Sequence, residues 1–289
     1  MSLPLSFEVP SALDYFTTLV ADDAQLPLLE AAASLAQDDA PELDVQAVVA
    51  EVDALAGALR RRVPQDAGPL HRLRLLNRYF FRELGFAGNV NDYQAVDNSY
   101  LHRVLATRRG IPISLAVIYL ELAAQLGLTA RGISFPGHFL VKLKLPAGEA
   151  VLDPFTGQTL SRDALEERLA PFRQQQGLVG DFEVPLGLYL QPASPREILT
   201  RMLHNLRRLH QTAGDLPRQL AVQNRLVRLL PMSWDERRDR GLLLADLGQA
   251  EAAEEDLCAY LAHRPLANDA AHIQHRVLSL GRGPGARSQ

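Results

Sequence analysis

Residues 133 to 155, "ISFPGHFLVKLKLPAGEAVLDPF", carry the pattern of a β-hairpin. Apolar and polar residues alternate through "HFLVKLKL", and "PAGE" supplies a turn before "EAVLDPF". The alternation predicts one core-facing set, which consists of Phe139, Val141, Leu143 and Leu145. His138 begins the opposite face, which continues with Leu140, Lys142 and Lys144. The stretch therefore predicts two antiparallel strands with a histidine at the start of the first.

His138 and Asp153 lie fifteen residues apart, one near each end of this hairpin. A carboxylate beside an imidazole is the orienting half of a catalytic triad, because it fixes the tautomer and stabilises the imidazolium. A turn centred near residue 147 puts His138 opposite about residue 156, so Asp153 is more than one position out of register. Two interpretations stay open: a paired His–Asp site, or a sheet histidine and an unrelated turn aspartate.

The composition of the chain narrows its functional class. It has 289 residues, of which 47% are hydrophobic, which is enough for two globular domains. The net charge of -4 argues against nucleic-acid binding, which needs a concentrated positive face. No apolar run reaches the roughly 18 residues of a membrane span, and no signal sequence opens the chain. We therefore expect a cytoplasmic protein that binds neither nucleic acid nor membrane.

The cysteine and histidine content predicts neither a metal site nor a cofactor. A single cysteine, Cys258, excludes a disulfide framework and a thiolate zinc site. His71, His102 and His138 lack the spacing of metal ligands on a helix. Cys258 lies in "EEDLCAYL", a helical pattern, where we expect it to be a small buried packing residue.

Helical patterns precede the hairpin. Residues 10 to 62 are amphipathic, and "HRLRLLNRYFFREL" adds a second helical stretch that stops at Gly85. The loop that follows, "GFAGNVNDYQAVDNSY", carries Asn89, Asn98 and Tyr100. These side chains, together with Pro112, could line a cleft beside His138; the alternative is that the three loop residues serve as turn and helix-start residues.

The most apolar helix begins after Gly110. "IPISLAVIYLELAAQLGL" is apolar almost all round, so we expect it to be buried on most sides. Pro112 suits its first turn, and Gly127 suits its C-terminal end. Short strands follow in "ARGISF" and in the hairpin, and "DFEVPLGLYL" predicts one more strand pair or extended segment.

A repeat occupies the C-terminal part of the chain. "SPRE" at residues 194 to 197 is a capping box that opens a helix. Gly214 recurs as Gly248, and Pro231 recurs as Pro265, so both separations are 34 residues. This is the period of tetratricopeptide helix pairs. Such pairs predict a concave surface for protein or peptide partners.

Three segments together resemble the SirB-type proteins: "NSYLHRVLATRRGIPISLAVIYLELAAQLGL", "FPGHFLVKL" and "LDPFTGQTL". Those proteins join a transglutaminase-like core to C-terminal tetratricopeptide repeats, and the resemblance covers roughly residues 70 to 275. It implies an α+β, papain-like core, with a central helix packed on an antiparallel sheet. The implied domains are a helical N-terminal region at 1–66, the transglutaminase-like core at 67–192, the repeats at 193–275 and a flexible tail at 276–289.

The resemblance also implies a site. His138 and Asp153 match the family histidine and aspartate through "GHF" and "LDPF". The cysteine of active members falls on Pro112, which offers neither a nucleophile nor an N–H group. Ser114 is the alternative nucleophile, but it lies about 160° round the helix from Pro112. Its other interpretation is a first-turn hydroxyl that bonds to nearby backbone.

Three hypotheses for the function follow. The first is a non-catalytic, pseudoenzyme-like protein that binds partners through its repeats and its cleft; the resemblance adds a regulatory role. The second is a hydrolase or acyl transferase that uses His138 and Asp153 with Ser114 or an activated water. The third is a structural scaffold without a ligand. The sequence does not predict the oligomeric state.

Overall fold

A computed structural model describes residues 10 to 178 and 180 to 280. The chain divides into two compact units. One is Asp22–Met202, and the other combines the segment that ends at Ala21 with the chain from Leu203 onward. The domain boundaries at residues 66, 192 and 275 stay predictions.

The described residues form thirteen helices and six strands. The helices are α1 (Ala12–Leu19), α2 (Leu28–Ser34), α3 (Val45–Arg60), α4 (Pro69–Asn77), α5 (Leu101–Thr107), α6 (Pro112–Gln125), α7 (Arg162–Gln175), α8 (Leu186–Tyr189), α9 (Pro195–Ala213), α10 (Leu216–Leu229), α11 (Trp234–Asp246), α12 (Ala250–His263) and α13 (Ala270–Leu280). The strands are β1 (Ala87–Gly88), β2 (Arg109–Gly110), β3 (Thr129–Ile133), β4 (Leu140–Leu145), β5 (Gly148–Asp153) and β6 (Gln158–Leu160).

Helix α6 is the central helix of the unit Asp22–Met202. It is buried along most of its length because its residues are apolar on almost every side. Pro112 occupies its first turn, and Gly127 follows its end with a φ of 69°. The buried Tyr119 donates its hydroxyl proton to Oδ1 of Asn77 at 2.6 Å, which ties α6 to α4.

Strands β3 to β6 form one antiparallel sheet in chain order. Helix α6 contacts β3 and β4. The other face is covered by α7, whose Leu165 and Leu169 join a core cluster with Leu140 and Val151. Leu140 is therefore buried, although the alternation placed it opposite the core face. The sheet has two covered faces, and the α+β fold with a central helix on an antiparallel sheet is confirmed.

The segment 181 to 190 departs from the prediction of strands. It contains part of a 3₁₀ turn, Gly180–Phe182, and the short helix α8. Pro185 precedes α8, and its restricted φ suits a helix start better than a sheet interior. Leu186 of α8 then packs against the α7 side of the sheet.

The second unit contains the helix pairs of the predicted repeat. Gly214 lies between α9 and α10, and Gly248 between α11 and α12, with φ values of 70° and 76°. These left-handed conformations explain why glycine recurs at this position. Pro231 and Pro265 follow α10 and α12, where a proline stops a helix.

The two helix pairs differ at their packing positions. In the second pair, Gly241 packs so closely on α12 that a Cβ atom there would lie 2.8 Å from Leu257. Thirty-four residues earlier stands Arg207, and the residues equivalent to Ala253 and Leu257 are Gln219 and Gln223. Small and apolar seam positions of the second pair are thus polar in the first.

Two predictions for the C-terminal part concern Cys258 and the tail. The prediction that Cys258 is buried is wrong, because its neighbours Leu257 and Tyr260 take the buried face of α12. Residues 276 to 280 of the predicted flexible tail belong to α13. The remainder of that tail, residues 281 to 289, lies outside the described residues.

We expect Gly241→Ala to lower the free energy of unfolding by about 1–3 kcal/mol, because the new methyl group overpacks the α11–α12 seam. Gly57→Ala in α3 is the matched control, since its Cβ would meet only Arg61 at 3.7 Å. That control should stabilise the chain by up to about 1 kcal/mol. Urea denaturation measures both, and equal effects of the two substitutions would contradict the packing argument.

Candidate functional site

His138 and Asp153 form a hydrogen-bonded pair. Nε2 of His138 lies 2.8 Å from Oδ1 of Asp153. Asp153 is almost fully buried, whereas 23% of the His138 side chain is exposed. The structure thus brings together the two residues that the sequence singled out.

The hairpin register explains this contact. Val141 pairs with Leu152, so Asp153 lies opposite Leu140, two residues beyond His138. Residues related in this way are diagonal neighbours on one face of an antiparallel pair, within reach of a long side chain. The segment that leads into β4 turns at Gly137, whose φ is 68°. The apparent mismatch in register is therefore no obstacle to the pair.

Three donors hold the Asp153 carboxylate. Oδ1 accepts the His138 imidazole and the backbone N–H of Phe155, the latter at 2.9 Å. Oδ2 accepts Nη1 of Arg168 from α7 at 3.0 Å. Burial opposes ionisation, but the hydrogen bonds and charge of His138, followed by those of Phe155 and Arg168, lower the pKa of Asp153 to about 2.

The ionised carboxylate fixes the role of His138. Because Asp153 can only accept at neutral pH, Nε2 of the neutral imidazole must carry the proton. The lone pair then resides on Nδ1, and no hydrogen bond to Nδ1 occurs among the described residues. An accessible Nδ1 can accept a proton from a ligand, a hydroxyl or a water.

The start of α6 presents no nucleophile to this imidazole. Pro112 occupies the first helical position and is buried. The fully buried Ser114 hydroxyl lies 2.6 Å from the carbonyl oxygen of Asn98 and accepts the N–H of Ile111 at 3.2 Å. It makes no hydrogen bond with His138. Ser114 thus acts as a helix-start hydroxyl, and its alternative catalytic role stays a prediction.

The asparagines of the preceding loop hold that loop in place. Nδ2 of Asn98 donates to the carbonyl of Asp92 at 2.6 Å, and its Oδ1 accepts Nδ2 of Asn89 at 2.9 Å. The buried Tyr100 donates its hydroxyl proton to Asp39 at 2.8 Å. These contacts give the three residues structural roles. Their predicted part in ligand binding, like that of Pro112, is not tested by this geometry.

Phe155 connects the loop with the His–Asp pair. Its carbonyl accepts the N–H of Gly88 at 2.9 Å, and its ring lies where a Cβ of Gly88 would be, only 2.3 Å away. The ring centroid is 6.3 Å from that of His138 and 5.8 Å from that of Tyr93. Aromatic side chains therefore border the imidazole on the side of the loop.

Sequence reasoning missed Arg168, Phe155 and Tyr93. For Arg168 a signal exists: it shares the stripe of α7 that carries Leu165, Leu169 and Phe172, and an arginine in an apolar stripe needs a buried partner. Phe155 and Tyr93 carry no such signal.

Among the described residues, no group of three or more histidine, cysteine or acidic side chains could hold a metal ion. No helix in that part of the chain is long and apolar enough to cross a membrane.

The family model described as transglutaminase-like superfamily matches residues 46 to 204. The chain belongs to the transglutaminase-like superfamily. A second model, described as tetratricopeptide repeat, matches residues 206 to 277. The predicted SirB-type arrangement, a transglutaminase-like core followed by tetratricopeptide repeats, is thereby confirmed.

Bacterial relatives of this transglutaminase-like chain extend over nearly all of it. A protein of Xylella fastidiosa (strain 9a5c) named UPF0162 protein is 37% identical over 261 residues, which cover 90% of this chain and 92% of that protein. A UPF0162 protein of Pseudomonas aeruginosa is 32% identical over 80% of this chain and 82% of its own length. That name states no activity.

One eukaryotic relative shares only a part. The F-box only protein 21 of Pongo abelii is 34% identical over 139 residues, which are 48% of this chain and 22% of that protein. No solved structure matches the chain.

We expect the stability of the wild-type chain to fall more steeply in acid than that of Asp153→Asn. The pKa of Asp153 is about 2 in the folded chain, below its ordinary 3.8, so its ionisation stabilises the fold above about pH 4. This contribution, on the order of 2 kcal/mol, is lost as the pH falls from about 4 towards 2.

Urea denaturation at several pH values between about 6 and 2.5 measures this difference. The free-energy gap between wild type and Asp153→Asn should narrow by about 1–2 kcal/mol across this range. Glu167→Gln, an exposed neighbour of Arg168, is the control and should leave the pH dependence unchanged. A gap that does not depend on pH would contradict the ion-pair interpretation.

Proposed function

We propose that this chain is a non-catalytic, partner-binding member of the transglutaminase-like superfamily. The observation that supports this proposal is an intact, charged site without a nucleophile. His138, Asp153 and Arg168 remain connected, while the first position of α6 is Pro112. A proline at this position supplies neither an attacking atom nor a backbone N–H for an oxyanion.

The hydroxyl of Ser114 is a poor substitute for a thiol. Its proton is donated to the carbonyl oxygen of Asn98 in the preceding loop, it accepts the N–H of Ile111, and it is fully buried. A serine also needs stronger help from a base than a cysteine does, because its intrinsic pKa is far higher. The alternative function, a hydrolase or acyl transferase, is favoured by one observation, the accessible Nδ1 of His138, and would use an activated water.

The repeats supply the second part of the proposal, a surface for a protein or peptide partner. A cavity of about 330 Å³ lies between α9, α10 and α11. Gln219 lines it with a side chain that is nine-tenths buried and makes no hydrogen bond with the described residues. Its amide atoms keep some exposure within the cavity, so they can bond to polar groups of a ligand such as a peptide backbone.

A charged network stabilises the wall of this cavity. Glu236 accepts His204, Arg207 and Gln223, and these bonds outweigh its burial and lower its pKa. Arg207 also reaches Asp239 at 3.2 Å. Two members of the network, Arg207 and Gln223, occupy positions that are Gly241 and Leu257 in the second helix pair. We infer a cytoplasmic protein with a regulatory role, acting by holding a partner.

We expect Gln219→Ala to weaken capture of a partner by about tenfold, since a polar group of the partner would lose its hydrogen bond. Ala253 is the equivalent residue of the second pair, so the substitution suits the fold. Affinity capture from a lysate of a host bacterium, with quantitative mass spectrometry, measures the effect.

Gln274→Ala, at an exposed glutamine of α13, is the matched control and should capture as well as wild type. A partner that is captured equally by wild type and Gln219→Ala would remove the cavity from the proposal. If wild type captures nothing beyond the bare resin, repeat-mediated binding itself is wrong.

We expect no turnover of ester or amide substrates that depends on His138. Wild type and His138→Ala should hydrolyse a panel of p-nitrophenyl esters and anilides at the same background rate. His275→Ala, at an exposed histidine of α13, controls for loss of any imidazole. A rate that disappears only in His138→Ala would overturn the non-catalytic proposal in favour of the hydrolase.

A further inference from the structure

Arg201, near the start of α9, is anchored to the segment that leads from β3 to His138. Its Nη1 donates to Oγ of Ser134 at 2.8 Å and to the carbonyl oxygen of Phe135 at 3.0 Å. The same carbonyl accepts the backbone N–H of His138 at 3.1 Å. One backbone oxygen therefore holds the guanidinium beside the residue that carries the imidazole.

The charge of Arg201 is not compensated within the part of the chain that the structure describes. Its hydrogen bonds go to a hydroxyl and a carbonyl, and its guanidinium carbon lies 5.7 Å from the centroid of the Phe139 ring. No carboxylate pairs with it there, in contrast to Arg168, which pairs with Asp153. Burial lowers the pKa of Arg201, as expected where a cation loses hydration.

The remaining donors of Arg201 are open to a ligand. A guanidinium has five N–H groups, of which two are used by Ser134 and Phe135. Their planar arrangement matches the two oxygens of a carboxylate. Arg201 is therefore a partly buried cation whose remaining N–H groups can form an ion pair with a carboxylate of a ligand.

Tyr93 and Phe155 lie beside the imidazole. The ring of Tyr93 contacts Phe155, which in turn borders His138. The Tyr93 side chain is 42% exposed, and its hydroxyl makes no hydrogen bond with the described residues. Tyr93 and His138 thus border one aromatic side chain, Phe155, while Arg201 binds the carbonyl of Phe135 that also accepts the N–H of His138.

We propose that Arg201, Tyr93 and His138 line a cleft that binds a carboxylate of a peptide partner, with Arg201 as its main cationic contact. The inference rests on the proposed non-catalytic function, because it gives His138 a binding role. Asp153 pairs with Arg168, whereas Arg201 has no carboxylate partner among the described residues. A bound carboxylate compensates the charge of Arg201, and an N–H or O–H group of the same partner can donate to Nδ1 of His138.

A neutral amide of the same shape is a poorer ligand. It offers one acceptor oxygen and leaves the Arg201 charge uncompensated. Hydrogen bonds between charged groups are about twice as strong as neutral ones. The cleft should therefore discriminate against a glutamine-like amide and in favour of the corresponding acid.

Three small probes separate the sources of a carboxylate. N-acetylglutamate α-amide carries only the side-chain carboxylate, N-acetylglutamine only the chain-end carboxylate, and N-acetylglutamine amide carries neither. Each is titrated to about 50 mM at constant ionic strength into the full chain, and NMR follows the ring protons of His138, assigned by His138→Ala. We expect at least one acid to bind about tenfold or more tightly than the neutral amide.

Variants at one helix test the contact. Arg201→Gln should abolish the preference for the acid, and Arg201→Lys, which keeps the charge, should retain part of it. Arg208→Gln removes an exposed charge from the same helix and should bind as wild type does. Because discrimination between acid and amide is measured on wild type, the test does not depend on the folding of any variant.

Two results would overturn the inference: equal binding of the acids and the neutral amide, or no shift of the His138 signals with either acid. An acid preference that persists in Arg201→Gln would assign the contact elsewhere and reject Arg201. None of these results bears on partner capture through the Gln219 cavity or on hydrolysis, so failure here is distinct from failure of the proposed function.

Discussion

A buried carboxylate organises the core of this transglutaminase-like chain. Asp153 sits at the end of β5 with almost no exposed surface, and an isolated charge in such a place would cost several kcal/mol. Three donors from different elements offset that cost: the imidazole before β4, the backbone after β5, and the guanidinium of α7. The hairpin end, the following turn and the covering helix are therefore held in one arrangement by a single side chain.

This constraint extends to the loop before α6 through close packing. Phe155, whose N–H binds Asp153, covers Gly88 so tightly that only glycine fits beneath its ring. Gly88 belongs to β1, which pairs with β2 directly ahead of α6. On the other side of the same loop, Asn98 accepts Ser114 of α6 and binds Asn89. Hydrogen bonds and close packing contacts thus connect the Asp153 carboxylate with the start of α6.

Much of this arrangement could be predicted from the sequence, because it depends on local patterns. Periodicity, turn residues or a family resemblance predict four of its features. These are helix α6, the hairpin, the His138–Asp153 pair and the recurrence of glycine after 34 residues at Gly214 and Gly248. The rest depends on long-range packing. Arg201 meets Ser134 across 67 positions of the chain, and nothing near either residue signals the contact. The prediction that Cys258 is buried is wrong because the pattern of its helix, which is rich in alanine and leucine, does not decide which face is buried.

The proline at the start of α6 changes the chemistry of the site in two ways at once. Pro112 provides no attacking atom, and it also lacks the N–H that the first turn of a helix could aim at an oxyanion. In the proposed non-catalytic function, Pro112 takes the place of both the nucleophile and one source of transition-state stabilisation, and it is among the best residues for a first helical position. The fixed charges and hydrogen-bonding groups around His138 suit reversible binding of a ligand. Asp153 is paired with Arg168, and Arg201 has no carboxylate partner among the described residues. The site therefore favours a ligand that carries a negative charge.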